Sequence, residues 1–158
     1  MDNITQQRVN LLHPILKDEV IKTLTLLENK GIFVRISQGL RTFTEQTAIY
    51  EQGRSLPGNI VTNAKAGQSF HNYGLAFDFC LLHKDGTVSW SEIEDANNDK
   101  QADFMEVIEE FEKIGWTSGF WWKHADKDHL EKPFGHTFEQ LLALDANRQT
   151  DENGYVII

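Results

Sequence analysis

Apolar residues recur along the chain at two spacings, and the change from one to the other predicts the order of elements. Residues 4–12 carry a short helical pattern. Residues 14–30 carry a longer one, in which Ile15, Leu16, Val20, Leu24 and Leu27 form a stripe between Pro14 at a first-turn position and Gly31 at a C-terminal cap. From Ile32 to Ser37 the period shortens to two, with Ile32, Val34 and Ile36 on one face of a strand and Phe33 and Arg35 on the other. Thr42-Phe43-Thr44-Glu45 has the form of a capping box opening a helix over 44–53, and 54–70 reads as loop. Leu75 to Leu82 is the strongest strand, apolar except for Asp78, with a turn at Asp85-Gly86 after it. Residues 87–100 are polar and read as loop. Over 101–114, Phe104, Val107, Ile108, Phe111 and Ile114 repeat at three and four, so this segment is an amphipathic helix stopped by Gly115. A last helix covers 137–146, and Tyr155 to Ile158 reads as an edge strand. Helices and strands mix without regular strand–helix alternation, which predicts an α+β fold: a small antiparallel sheet flanked by helices.

Composition narrows the class. The length of 158 residues fits one domain, and the absence of repeats, low-complexity tracts and Pro/Ser-rich linkers makes 1–158 a single unit with its motif-bearing core at about 32–146. Ten Phe, four Trp and three Tyr supply a real core. Fifteen Lys+Arg against 24 Asp+Glu give a net charge of −9, a field that repels phosphate backbones, so nucleic acid is not the expected partner. The one cysteine, Cys80, excludes an internal disulfide and a Cys-rich zinc module. No apolar run reaches the roughly 20 residues of a membrane-spanning helix. The N-terminus lacks the basic start and apolar run of a secretory leader, which points to cytoplasmic synthesis or to a leader already removed.

Three elements can carry chemistry. Asp78 interrupts an apolar strand, where an ionised carboxylate costs several kcal/mol unless a cation or good donors meet it. A structural Asp bonded to an Arg or to backbone N–H groups is one reading. His71 lies seven residues earlier, in Ser69-Phe70-His71-Asn72-Tyr73-Gly74, a spacing that suits one ligand on a loop and one on the strand it enters. Alone, a loop histidine is more often a surface residue than a ligand. Asp126 and His129 are three apart in Asp126-Lys127-Asp128-His129-Leu130-Glu131, close enough in a turn or short helix to face the same way. Together His71, Asp78 and His129 make a two-His, one-carboxylate set suited to a catalytic zinc (Zn2+) with an open position for water. Asp126 would then be the general base that takes the proton of that water and hands it to a leaving amine.

At this point a family becomes visible. Ser69 to Asp78 resembles the S-x-H-x-x-G-x-A-x-D signature of the LAS metallopeptidases (peptidase M15), which include zinc D-Ala-D-Ala carboxypeptidases and dipeptidases and L-alanyl-D-glutamate endopeptidases. Asp126-x-x-His129 resembles their second motif, which begins with Asp in the endopeptidase branch and with Glu in the dipeptidase branch. Gln38-Gly39-Leu40-Arg41-Thr42, with Gln46 downstream, resembles a third segment. Val61-Thr62-Asn63-Ala64-Lys65-Ala66-Gly67 is typical of the L-alanyl-D-glutamate group, which includes phage endolysins.

The resemblance implies a role for each matched position. His71, Asp78 and His129 match the zinc ligands and Asp126 the catalytic acid/base. Arg41 matches an arginine that stabilises a developing oxyanion or holds substrate, with a structural ion pair as the alternative. Ser69 and Gln46 orient ligands or substrate, or are caps of loop and helix. Trp121 matches an aromatic residue ahead of the second motif and, with Trp122, either walls the cleft or packs in the core. Asp128 and Leu130 stand where endopeptidases often have Pro and an aromatic residue, and His124 where an aromatic residue is common. Those departures bear on the shape of the cleft. The implied activity is zinc-dependent hydrolysis of peptidoglycan stem peptides by a monomer acting at the cell wall, with L-alanyl-D-glutamate as the favoured bond and D-Ala-D-Ala as its rival. A non-catalytic wall-peptide binding module and a cysteine hydrolase using Cys80 are the other classes, although Cys80 reads as a small core residue because no activating pattern surrounds it.

Overall fold

Five antiparallel strands, one of them central, form a single sheet in the computed structural model, which describes residues 1–158. The strands are β1 (Val34–Gln38), β2 (Ala76–Leu82), β3 (Val88–Ser89), β4 (Thr117–Ser118) and β5 (His129–Glu131), and the helices are α1 (Asn3–Asn10), α2 (Pro14–Asn29), α3 (Phe43–Glu51), α4 (Asp103–Glu112) and α5 (Phe138–Ala146). Two 3-10 turns, Phe70–Tyr73 and Gly119–Trp121, precede β2 and follow β4. The order is β1-β2-β5-β4, with β3 pairing β2. This is the expected α+β architecture.

Strand β2 is central because it is apolar enough to be covered on both faces, and its alternation sorts the molecule into a packed side and a reactive side. Phe77, Phe79 and Leu81 point into a core shared with α2 and α4. Phe77 meets Phe111 and Trp116 edge-on at centroid distances of 5.1 and 5.0 Å, and Phe79 lies 4.6 Å from Phe104. Such contacts rest on area first and ring geometry second. Ala76, Asp78 and Cys80 point the other way, opposite Glu131, His129 and Arg35 respectively.

The helices follow their apolar stripes with two differences from expectation. Leu16, Val20, Leu24 and Leu27 of α2 are buried, but Ile15 is 51% exposed, since it lies about 100° round the helix from Leu16. On α4, Phe104, Val107, Ile108 and Phe111 are buried, whereas Ile114 falls beyond the helix end and is exposed. The capping box at Thr42 and Glu45 is present, and a second one at Thr137 and Gln140 opens α5. Helix α1 covers the free edge of β1: the Ile36 N–H donates to Thr5 Oγ1 at 3.2 Å, and Arg8 donates to the Ile36 carbonyl. That edge is therefore closed to further strand pairing.

The segment 87–100, read as loop, contains the short β3, brought back onto β2 by the Asp85-Gly86 turn (Leu82 opposite Val88). Tyr155 to Ile158 does not form a strand; only an isolated bridge joins Thr150 and Val156, and His13 Nε2 lies 2.8 Å from the Val156 carbonyl. No helix is long and apolar enough to cross a membrane.

Candidate metal centre and active site

The register of β2 on β5 places Asp78 directly across from His129. Side chains opposite each other on one face of an antiparallel pair have Cβ atoms about 4.5–5.5 Å apart, so the strand pairing alone brings these two within reach. His71 arrives from the 3-10 turn Phe70–Tyr73. Gly74 ends that turn with φ of +68°, and a Cβ there would stand 2.7 Å from the His13 nitrogen, so glycine is needed for the backbone to pass and enter β2.

The three ligating atoms form a nearly equilateral triangle. His71 Nε2 is 3.2 Å from Asp78 Oδ1 and 3.2 Å from His129 Nδ1, and His129 Nδ1 is 3.0 Å from Asp78 Oδ1. The other ring nitrogens are committed elsewhere. His71 Nδ1–H donates to the Gly39 carbonyl at 2.9 Å, and His129 Nε2–H donates to Glu131 Oε2 at 2.9 Å. Those bonds fix both rings so that His71 Nε2 and His129 Nδ1 turn toward each other and toward a carboxylate oxygen, as lone pairs whenever the rings are neutral. Three acceptors facing one another this closely repel unless a cation lies among them. A tetrahedral ion with bonds of about 2.0–2.1 Å requires ligand atoms about 3.3 Å apart, within about 0.3 Å of every edge here. The donor set, two imidazoles and one carboxylate, also fits a borderline-soft divalent metal with a position left open.

The electrostatics agree. Burial alone would raise the Asp78 carboxyl, but hydrogen bonds from His129 and His71 outweigh it and hold the carboxyl well below the usual carboxylate range. Burial alone would lower His129, yet the bonds to Asp78 and Glu131 push it up to about 9. Both shifts mark a position that demands positive charge. His71 and His129 are buried, while the Asp78 side chain keeps 20% of its exposure, so the triangle is closed on the core side and open on one other.

That opening is a cleft of about 610 Å³, lined by Arg41, Ser69, Trp122, Asp126 and Phe138 along with the triangle. Asp126 is exposed in the turn ahead of β5; its N–H donates to the Gly119 carbonyl at 3.0 Å and its carbonyl accepts from the His129 N–H at 3.1 Å. A Cβ on Gly119 would lie 2.4 Å from the Asp126 carbonyl oxygen and 3.2 Å from the Cβ atoms of Asp126 and His129, so the turn closes only around glycine. Arg41 is anchored by its N–H to the His71 carbonyl (3.0 Å), and its guanidinium donates to Gln46 Oε1 (3.1 Å). Gln46 is fully buried on α3 and donates in turn to the Ala64 carbonyl at 2.8 Å, which makes it a bridge between the arginine and the 61–67 segment. Ser69 lies at the head of the 3-10 turn but makes no side-chain capping bond.

Trp121 is not part of the cleft lining. It is 62% exposed, and its indole N–H donates to Glu112 at 2.9 Å. The neighbouring Trp122 takes that place, with its ring 5.3 Å from the His129 ring. Cys80, on the same strand face as Asp78, is 1% exposed with its thiol pushed up by burial to about 11, the reverse of an activated nucleophile. Glu131 is the residue that reading the sequence missed. It lies two positions after His129 and so shares its face once β5 is known to be a strand, but three residues are too few to show that alternation in the sequence.

A family model for D-alanyl-D-alanine carboxypeptidase of the M15 peptidases matches residues 62–132. The peptidoglycan L-alanyl-D-glutamate endopeptidase CwlK of Bacillus subtilis is 46% identical over 121 residues, 76% of this chain and 72% of that protein. Among solved structures, the L-Ala D-Glu endopeptidase ChiX of Serratia marcescens superposes with a TM-score of 0.54 at 20% identity, over 85% of this chain and 90% of that one. The L,D-carboxypeptidase DacB of Streptococcus pneumonia gives 0.52 at 19% identity, over 86% and 72%. The chain belongs to the M15 family of metallopeptidases, the LAS group.

Proposed function

We propose that this chain is a zinc-dependent peptidase that hydrolyses the stem peptides of bacterial peptidoglycan, with L-alanyl-D-glutamate as the bond cut. The observation that carries the reading is the convergence of His71 Nε2, His129 Nδ1 and Asp78 Oδ1, none more than 3.2 Å from another, inside a cleft that also holds Asp126 and Arg41. The choice of bond is supported by the Bacillus subtilis relative, whose name specifies it, and by Asp at the head of the second motif.

His71, Asp78 and His129 would hold the ion. When bound, zinc supplies Lewis acidity, polarising the scissile carbonyl and bringing the pKa of a water near 7. Asp126 accepts the proton of the attacking water and returns it to the leaving amine. Arg41, preset by Gln46, donates to the oxygen on which negative charge develops, with little reorganisation because its guanidinium is already held. Glu131 keeps His129 in the ligating tautomer. Ser69 and Trp122 offer a hydroxyl and an aromatic wall to the peptide.

A second reading, removal of a terminal D-alanine, is favoured by the description of the family model that matches residues 62–132. Mass analysis of purified peptidoglycan after digestion separates the two. New N-terminal D-glutamate and C-terminal L-alanine are expected; release of free D-alanine would assign the second reading. Binding of fragments without any new amine, unchanged in Asp126→Asn, would make the chain a recognition module instead. Chelation is expected to abolish cleavage and zinc to restore it.

A further inference from the structure

Away from the peptidase cleft, the connection from β3 into α4 holds a second concentration of oxygen ligands. From position 95 the chain reads Asp95-Ala96-Asn97-Asn98-Asp99-Lys100-Gln101-Ala102-Asp103-Phe104-Met105-Glu106. Side-chain oxygens fall at the first, third, fifth and ninth positions and a glutamate at the twelfth. That is the spacing with which a 12-residue loop wraps a calcium ion, the seventh position serving through its backbone carbonyl. The sixth position of such a loop makes a sharp turn and ordinarily takes glycine. Here it is Lys100, and its φ is +77°, inside the left-handed region.

Spacing and turn geometry do not make a site. Two carboxylates at the end of the loop point to a ligand. Asp103 is 2% exposed and Glu106 is 3% exposed, and Asp103 Oδ1 and Glu106 Oε2 have no hydrogen-bond partner. These are the ninth and twelfth positions. The second Asp103 oxygen accepts from the Ala96 N–H at 3.1 Å, which aims the carboxylate back into the loop. Lys30 reaches only Glu106 Oε1, at 3.3 Å, and holds Glu110 more closely at 2.7 Å. Burial raises both carboxyls above their ordinary range, so each is poorly served by its present neighbours. Buried polar atoms without partners are rare, and a place for a bound ion is one of the standard reasons for them.

We propose that residues 95–106 form a calcium site, with oxygens from Asp95, Asn97, Asp99, the Gln101 carbonyl, Asp103 and Glu106. The set is all oxygen, which suits a hard cation and not zinc, and a flexible loop of this length suits calcium over the strict octahedron of magnesium. The site shares no residue with the His71–Asp78–His129 triangle and stands independently of the peptidase reading. No helix leads into the loop; the chain arrives from β3. Because α4 begins at Asp103, an ion here ties the loop to the first turn of a helix whose Phe104 packs on Phe79 of β2.

Isothermal titration of the full chain with CaCl2, paired with thermal melting in CaCl2 or MgCl2, tests the proposal. The expected result is one calcium bound per chain and a raised melting temperature, both kept in His71→Ala, where the peptidase triangle is broken. The double variant Asp95→Asn, Asp99→Asn changes only loop positions outside the core and is expected to weaken binding at least tenfold. Lys100→Gly relaxes the left-handed backbone and removes a positive charge, and is expected to tighten it. No heat and no melting shift at about 10 mM CaCl2, above the weakest loops of this kind, would overturn the site. So would calcium binding that survives the double variant, or a magnesium response as large as that of calcium.

Discussion

Replacing Glu131 by alanine tests how much of the metal centre lies outside its ligands. Glu131 lines the cleft but is not one of the three ligands; it bears on the ion by accepting the His129 Nε2 proton at 2.9 Å. Its side chain is 15% exposed and that of His129 8%, so water does little to replace the bond once it is cut. A hydrogen bond to a charged partner at such a place contributes about 1.5–3 kcal/mol, and truncation leaves a buried ring N–H unpaired. At about 1.4 kcal/mol per factor of ten, that predicts a loss of roughly 10- to 100-fold in zinc affinity, the range usual for partners of metal-ligating histidines. Competition with a chromophoric chelator reads the affinity directly, and circular dichroism checks that the fold survives. Glu131→Gln keeps an acceptor without the charge and is expected to fall between alanine and wild type. Wild-type affinity in Glu131→Ala would refute the reasoning, because the tautomer of His129 would then be set by something other than this bond.

Other perturbations separate chemistry from scaffold. Asp126→Asn is expected to lower turnover by about 100- to 10,000-fold with bound zinc unchanged by elemental analysis, as loss of a general base requires. Gly119→Ala places a Cβ 2.4 Å from the Asp126 carbonyl, and a destabilisation of about 1–3 kcal/mol in urea titration is expected together with lower activity. Phe77→Ala removes a fully buried ring from the centre of the core, and a loss of about 3–5 kcal/mol is expected in the same assay. Asp2 caps α1 through the Thr5 N–H and pairs with Arg35. Partial burial works against its ionisation, but those bonds outweigh it and bring the carboxyl below its ordinary 3.8. Its stabilisation is therefore full above that pH and lost as pH falls through the lower folded value. Asp2→Ala is expected to cost about 1 kcal/mol at neutral pH and to converge on wild type in strongly acidic melts.

The reactive face was readable in the sequence where the signal was local. Asp78 stood out because one charge in an apolar strand needs a reason, and the capping box at Thr42 and Glu45 announced α3. What escaped depended on contacts distant along the chain or on segments too short to show a period. Strand β5 has three residues, too few for alternation to reveal Glu131 as a partner of His129. The bridge from Arg41 through Gln46 to Ala64 joins three separate stretches, so only folding displays it. Trp121 and Trp122 are adjacent at the end of a 3-10 turn, where a single residue decides which ring meets the cleft and no periodicity makes the choice. The 87–100 segment read as polar loop hid both β3 and the start of the calcium-type spacing, because polarity is shared by loops that hold ions and loops that hold none.

Anomalous diffraction at the zinc absorption edge, from crystals of the full chain grown with zinc, tests the central claim most directly. A single peak within about 2.0–2.2 Å of His71 Nε2, His129 Nδ1 and a carboxylate oxygen of Asp78 is the expected result. A peak held by other side chains, or no peak at this triangle in crystals of a zinc-activated enzyme, would contradict it.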